Sequence, residues 1–306
     1  MATLRDARQS FLDSLEIAGK SPLTLDSYGR HLTEFQDWFG KPLDVGDIQS
    51  SDVEGFLLHL RRRPKLPGHQ HRTNPQGGLA PETMRHYYWT LVSFFKWCDG
   101  ERLLNGHRPM HNLDAPASYR PEIRTLSKQE IARLLALVDK PGVKKRTLFV
   151  AFSVMARLGL RISEVCSLRL SDLNLETGRL FVRGKGKRER ELPIPDGLCD
   201  LLQAYVSELR PRYATGSDLL LASYTGNPLL PSSLRRSFKR YAKRAGVAGT
   251  PHTLRHSFAT QFLRDGGSIY VLKRILGHSD IKTTERYIHA ASVDDMAAAL
   301  HKMDWV

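Results

Sequence analysis

Cysteine is scarce in this chain. Cys98, Cys166 and Cys199 are the only three in 306 residues, widely separated and with no C-x-x-C pair. So odd and scattered a set excludes a disulfide framework and a cysteine-based structural zinc site. Long apolar runs are also missing. The longest, LFVAFSVMA at 148–156, is too short to span a bilayer. The opening stretch MATLRDARQSFLDSLEIAGK carries no signal-peptide apolar segment. The expectation is a protein of the reducing cytosol with no membrane partner. There is no internal repeat and no low-complexity segment. Negative charge is in the minority: 32 Asp and Glu stand against 46 Lys and Arg, a formal net charge of +14. That balance favours a polyanionic partner, nucleic acid first. With 41% hydrophobic and 25% charged residues the chain reads as globular. Its length exceeds one ordinary core and predicts two domains.

The apolar spacing predicts a helical first domain over residues 1–112. From Ser21, the residues Tyr28, Leu32, Phe35 and Phe39 fall on one helix face, closed by Gly40 and Pro42. A second helix near 51–62 ends in the basic run Arg61, Arg62, Arg63, and PKLPGHQHRTNPQGG follows as a loop. Pro81 suits the first turn of a third helix running to about Cys98. Its stripe Met84, Tyr88, Leu91, Phe95 and Cys98 reads as core packing, not as a base-stacking platform. LDAPASYRPEIR supplies an interdomain linker over 113–124. The second domain, 125–306, opens on a helix with a Ser127/Glu130 capping box. It is predicted to be mostly helical, with one β-hairpin in which GRLFV and RERELPI flank the turn GKGK at 184–187. That hairpin carries Arg183, Lys185, Lys187, Arg188 and Arg190, a basic tip able to meet a DNA backbone.

PHTLRHSFAT at 251–260 holds His252 and Arg255 as H-x-x-R. Alone the spacing means little, since His59/Arg62 and His69/Arg72 repeat it. His252 and His256 sit four apart, but Thr253 stands where a zinc-protease helix needs Glu, so no metal site is expected. GLRISEVCSLRLSDL places Arg161 after a Gly-Leu step with Glu164 one turn on. An Arg/Glu pair of this kind is ordinarily a surface ion pair of little worth. Tyr287, one of ten tyrosines, and His278, after Gly277, have equally ordinary explanations one at a time.

Taken in order, Arg161, Lys185, His252, Arg255, His278 and Tyr287 form a set that resembles the tyrosine recombinase (phage integrase) family, most closely its Xer-type and simple integrase members. The phrases that carry the resemblance are GLRISE, VRGKGKRERELPIP, HTLRHSFAT and LGHSDIKTTERYIH, spread over roughly residues 125–290. The resemblance implies a mainly α fold with a small β-hairpin or sheet in the catalytic domain. It also implies a two-domain, C-shaped DNA clamp, in which a helical, SAM-like core-binding domain precedes the catalytic domain. The chemistry it implies needs no cofactor. Tyr287 would attack a DNA phosphodiester to give a 3′-phosphotyrosine, conserving bond energy for rejoining. Arg161 and Arg255 would clamp the phosphate with planar forks. Lys185 would protonate the leaving 5′-oxygen, His252 would assist proton transfer with Tyr287, and His278 would hydrogen-bond the phosphate. Glu164 would orient Arg161 or His252. Arg61, Arg62, Arg63, Arg183, Lys187, Arg188 and Arg190 are the expected DNA contacts.

The implied activity is site-specific recombination through a Holliday junction on double-stranded DNA with an inverted-repeat core site, in the nucleoid. The tail SVDDMAAALHKM, 292–303, reads as a capped helix with Val293, Met296, Leu300 and Met303 on one face. In the family reading it docks on a neighbouring protomer of a tetrameric synapse. A second recombinase or an accessory protein is a further expected class of partner. A type IB-like topoisomerase uses the same tyrosine chemistry, and a DNA-binding accessory protein shares the fold without it. The docking tail argues against the first and the full residue set against the second.

Overall fold

The computed structural model describes residues 2–63, 78–117, 123–184, 189–214, 216–223 and 225–288. It divides the chain into two compact units, Met1–Pro121 and Glu122–Val306. Lys185, Lys187, Arg188, most of the 64–78 loop and the 292–303 tail lie outside the described residues.

Among the described residues the first unit is a bundle of four α-helices: α1 (Leu4–Ile17), α2 (Pro22–Trp38), α3 (Ser50–Arg62) and α4 (Pro81–Gly100). The first of these was not anticipated. Its apolar positions Leu4, Ala7 and Phe11 are all buried, and Thr3 caps it by accepting from the Asp6 N–H. The α4 stripe is core as predicted, with Met84, Tyr88, Leu91, Phe95 and Cys98 all buried. Aromatic edges hold the bundle together: Phe11 meets Phe94 at 5.5 Å between centroids and Phe35 meets Phe56 at 5.0 Å. The start of the expected linker is packed onto this unit. The Tyr88 hydroxyl donates to Leu113 O at 2.6 Å and Arg85 donates to Pro116 O at 2.5 Å.

The second unit is built around α6 (Val143–Leu158), whose residues Val150 to Met155 are all buried. It is preceded by α5 (Lys128–Ala136), which starts on the predicted Ser127/Glu130 capping box. After α6 come the short α7 (Ile162–Ser167) and a three-stranded antiparallel sheet. Its strands are β1 (Leu173–Asn174), β2 (Arg179–Arg183) and β3 (Glu189–Pro193). The predicted hairpin is β2–β3, with Leu180 opposite Leu192 and Val182 opposite Arg190. The sequence then runs through α8 (Asp196–Ala204), α9 (Pro231–Arg244), α10 (Pro251–Arg264), α11 (Ile269–Leu276) and α12 (Lys282–Glu285). No helix among the described residues is long and apolar enough to cross a membrane.

Two helix ends are terminated by left-handed glycines: Gly159 after α6 (φ 64°) and Gly277 after α11 (φ 63°). A Cβ at position 159 would lie 2.4 Å from Phe258 and 3.0 Å from Leu276. Gly159→Ala therefore combines a left-handed alanine with an overpacked core. We expect a loss of about 2–4 kcal/mol in urea or guanidinium unfolding. A loss below about 1 kcal/mol would mean that the α6–α7 junction yields to the methyl group.

Candidate active site

Glu164, in the first turn of α7, is a buried anion of the second unit, with only 4% of its side chain exposed. It accepts from the Arg161 backbone N–H at 2.8 Å and from Arg161 Nη1 at 2.8 Å. From β3, Arg190 grips it with both terminal nitrogens, at 3.1 and 3.0 Å. Arg255 of α10 lies 3.8 Å away. Burial alone would push the Glu164 carboxyl up. Hydrogen bonding and charge from Arg190, with the Arg161 N–H and guanidinium, bring it below the ordinary carboxylate value.

The second anchor is the C-terminus of α11, where the last carbonyls of a helix have no partner within it. Leu276 O accepts from Arg255 at 2.7 Å and from Arg161 at 3.3 Å, and Ile275 O accepts from Arg190 Nε at 2.6 Å. Arg255, only 1% exposed, also donates to Gly159 O, at the end of α6, at 2.7 Å. Helix C-termini thus hold the guanidiniums with the negative ends of their dipoles. Burial draws Arg255 down to about 10, which leaves it charged at neutral pH.

His278 follows the Gly277 turn. Its Nε2 faces Arg255 Nη2 at 2.9 Å and its Nδ1 faces Thr284 Oγ1 at 2.9 Å. A guanidinium only donates, so Nε2 accepts and the ring proton resides on Nδ1, directed at the threonine. Both nitrogens are therefore spent inside the protein. The phosphate expected to meet His278 is that of bound DNA; in the protein alone the ring backs Arg255. Burial, with the charges of Arg255, Arg161 and Arg190, lowers His278 to about 4, so the ring is neutral.

Tyr287 lies just beyond α12. It is 3% exposed, packed with Ala259, Leu272 and Leu276. Its hydroxyl is 2.9 Å from His256 Nδ1. That partner lies one turn further along α10 than His252, the residue expected to assist proton transfer with Tyr287. His252 is exposed, its ring centroid 5.1 Å from that of His256. Among the described residues no three His, Cys, Asp or Glu side chains gather as metal ligands.

These groups come together through backbone geometry. His252, Arg255, His256 and Ala259 share one face of α10 at the i, i+3, i+4, i+7 spacing. The expected DNA contacts fare unevenly. Arg61 and Arg62 are exposed at the end of α3, while Arg63 pairs with Glu34. Arg183 pairs with the buried Asp172 at 2.6 Å and with Glu189 at 3.8 Å. Arg190 is not a surface contact: its side chain is 11% exposed and committed to Glu164. The strand pattern held the signal, because Arg190 and Leu192 are two apart and so share the inward face of β3. A further basic surface went unnoticed. On α9, Arg235, Arg236, Lys239, Arg240, Lys243 and Arg244 are exposed opposite buried Leu234, Phe238 and Tyr241, a pattern readable from SLRRSFKRYAKR.

Two family descriptions together cover most of the chain. Residues 124–293, more than half of the chain, match the phage integrase family, and residues 8–103 match the phage integrase N-terminal SAM-like domain. The chain belongs to the phage integrase family. Tyrosine recombinase XerD of Lacticaseibacillus casei is 33% identical over 95% of this chain and 96% of its own. The fold is shared with XerH site-specific recombinase bound to palindromic difH substrate, a post-cleavage complex. That match has a TM-score of 0.71 and 22% identity over 90% of this chain and 79% of that one. A lambda integrase tetramer bound to a Holliday junction matches with a TM-score of 0.68 and 19% identity, over 92% and 78%. The protein is a tyrosine recombinase of the Xer-like type, a site-specific recombinase.

The recombinase's buried imidazoles have a consequence for stability. Burial first, and nearby arginines with it, lower His31 and His278 to about 4. Burial, with His252 and arginine charges, does the same for His256. Unfolded histidine takes its proton near pH 6.5. Between these values the unfolded chain binds more protons than the folded one, so stability falls as pH falls. Melting temperature should hold steady down to about pH 6.5 and drop from there toward pH 4. A flat profile through that window would show that these rings charge within the fold.

Proposed function

We propose that this recombinase cleaves duplex DNA at an inverted-repeat core site with Tyr287 as nucleophile. Attack leaves a 3′-phosphotyrosine and a free 5′-hydroxyl, and exchange of strands proceeds through a Holliday junction. One observation carries the reading. Three guanidiniums, those of Arg161, Arg190 and Arg255, meet a single carboxylate, Glu164, around the carbonyls that end α11. The cluster is under-neutralised by two charges, and Tyr287 lies under the field of Arg255. A phosphodiester and the charge that develops on its oxygens fit that excess.

In this reading Arg161, whose side chain is 33% exposed, meets the phosphate first. Arg255 completes the clamp from below, backed by His278. Glu164 and Arg190 hold both forks in place. Lys185 protonates the leaving oxygen, and His252, exposed on the rim, assists proton transfer. Arg61, Arg62, Arg183, Lys187, Arg188 and the exposed face of α9 track the backbone, which gives affinity without sequence information. The 292–303 segment joins protomers into a tetrameric synapse, with or without a second recombinase or accessory protein. The site of action is the DNA of the cytoplasm, the nucleoid.

Covalent trapping tests this. The protein is incubated with nicked duplexes cut from its replicon, denatured in detergent, and examined for DNA-linked protein. Tyr287→Phe should bind DNA as the parent does and form no adduct; an adduct in that variant would place the nucleophile elsewhere. Arg161→Ala should slow adduct formation by about 10²–10³ with little change in binding. An equal loss of both would reduce Arg161 to a positioning contact.

A further inference from the structure

We propose that His256 is the proton acceptor for Tyr287 in the cleavage step, taking the phenol proton on Nδ1 as the Oη–phosphorus bond forms. The inference rests on Tyr287 being the nucleophile.

The geometry has three parts. His256 Nδ1 stands 2.9 Å from Tyr287 Oη, with the rings tilted at 50° and their centroids 5.6 Å apart. Next, the hydroxyl oxygen has Arg255 as the strongest positive charge acting on it. A guanidinium has no lone pair to offer, so the oxygen turns its lone pairs to Arg255. Its single proton is left for His256. Last, the ring of Tyr287 is held in the apolar seat of Ala259, Leu272 and Leu276, which fixes where the hydroxyl points.

The histidine must be neutral to accept. The groups facing it are His252 and Arg255 from its own helix, and Arg286 and Tyr287 from the segment beyond α12. Burial first, then the charges of His252, Arg286 and Arg255, lower it to about 4. An incoming phosphodiester is an anion. It offsets those cations and raises the proton affinity of the imidazole at the moment of attack.

The step balances as follows. The Tyr287 O–H bond breaks and its proton moves to His256 Nδ1. The Oη–P bond forms as the P–O5′ bond breaks, and the leaving O5′ takes its proton from Lys185. Rejoining runs in reverse: the 5′-hydroxyl attacks as its proton returns to Lys185, the P–O5′ bond forms as the Oη–P bond breaks, and Tyr287 recovers its proton from His256.

Two measurements test the pair, both on the full chain. The first uses the free protein labelled with 15N-histidine, with His256 assigned through His256→Gln. We expect the Nε2–H tautomer with a bare Nδ1. A proton on Nδ1 would make His256 the donor and overturn the proposal. The second uses the duplex recovered by Tyr287-dependent trapping. His256→Gln should form adduct about 10²-fold slower or worse at neutral pH. It should recover as pH approaches that of free phenol, about 10. Replacing the bridging 5′-oxygen by sulfur separates the two proton transfers. A thiol ionises near pH 8.5 and leaves unaided, so sulfur should restore Lys185→Ala and leave His256→Gln slow. Wild-type rates in His256→Gln, or its rescue by sulfur, would overturn the proposal. Adduct formation by Tyr287→Phe would instead overturn the assignment of the nucleophile, a separate outcome. If no duplex is recovered, the tautomer still decides whether His256 accepts.

Discussion

A buried carboxylate with more cation than it can neutralise sets the terms for this catalytic unit. Taking Glu164 out of water costs several kcal/mol, recovered only where its lone pairs are filled with good geometry. Arg161 and Arg190 fill them with guanidinium and backbone donors from α7 and β3. Those bonds tie the hairpin that leads to Lys185 to the helix that begins at Arg161. The excess positive charge cannot be relieved from within the cluster. It is a standing demand for an anion, built before any substrate arrives. In such a low-dielectric setting it needs no reorganisation when the charge of a transition state appears.

The same cluster closes an older structural debt. Helix ends leave carbonyls without partners, and here the ends of α6 and α11 are buried together. Arg255, Arg161 and Arg190 supply the missing donors through Gly159 O, Leu276 O and Ile275 O. This requires the chain to leave both helices in the left-handed conformation, close to other atoms. A Cβ at Gly277 would meet Arg190 Nη1 at 2.9 Å. Stability and catalysis therefore draw on one set of contacts.

Crowding of cations also decides the state of the histidines. Desolvation and arginine charge keep His256 and His278 neutral. A neutral imidazole can accept a proton or brace a guanidinium, whereas a charged one would repel the arginines beside it. Burial has the opposite bearing on Tyr287, raising its hydroxyl against the pull of Arg255, Arg286 and Arg161. A phenol that resists ionising in the resting protein needs an acceptor at hand, and the hydrogen bond from α10 supplies one.

The sequence by itself determined the two-unit division, the α4 core stripe, the Ser127 capping box and the β2–β3 hairpin. Each depends on local spacing or turn chemistry, which reads directly from residue order. It also named a candidate set of site residues, because four separated phrases agree in type and order. Who touches whom was decided only in three dimensions. His252 and His256 are equivalent on a helix map, and only the packing of the Tyr287 segment selects His256. Arg190 looked like one more cation on a basic hairpin until the fold laid its strand against Glu164 and the end of α11. His278 spends both nitrogens inside the protein because Thr284 and Arg255 converge on it from other elements. Periodicity fixes the face a side chain occupies, but partners and protonation depend on what the rest of the chain brings to that face.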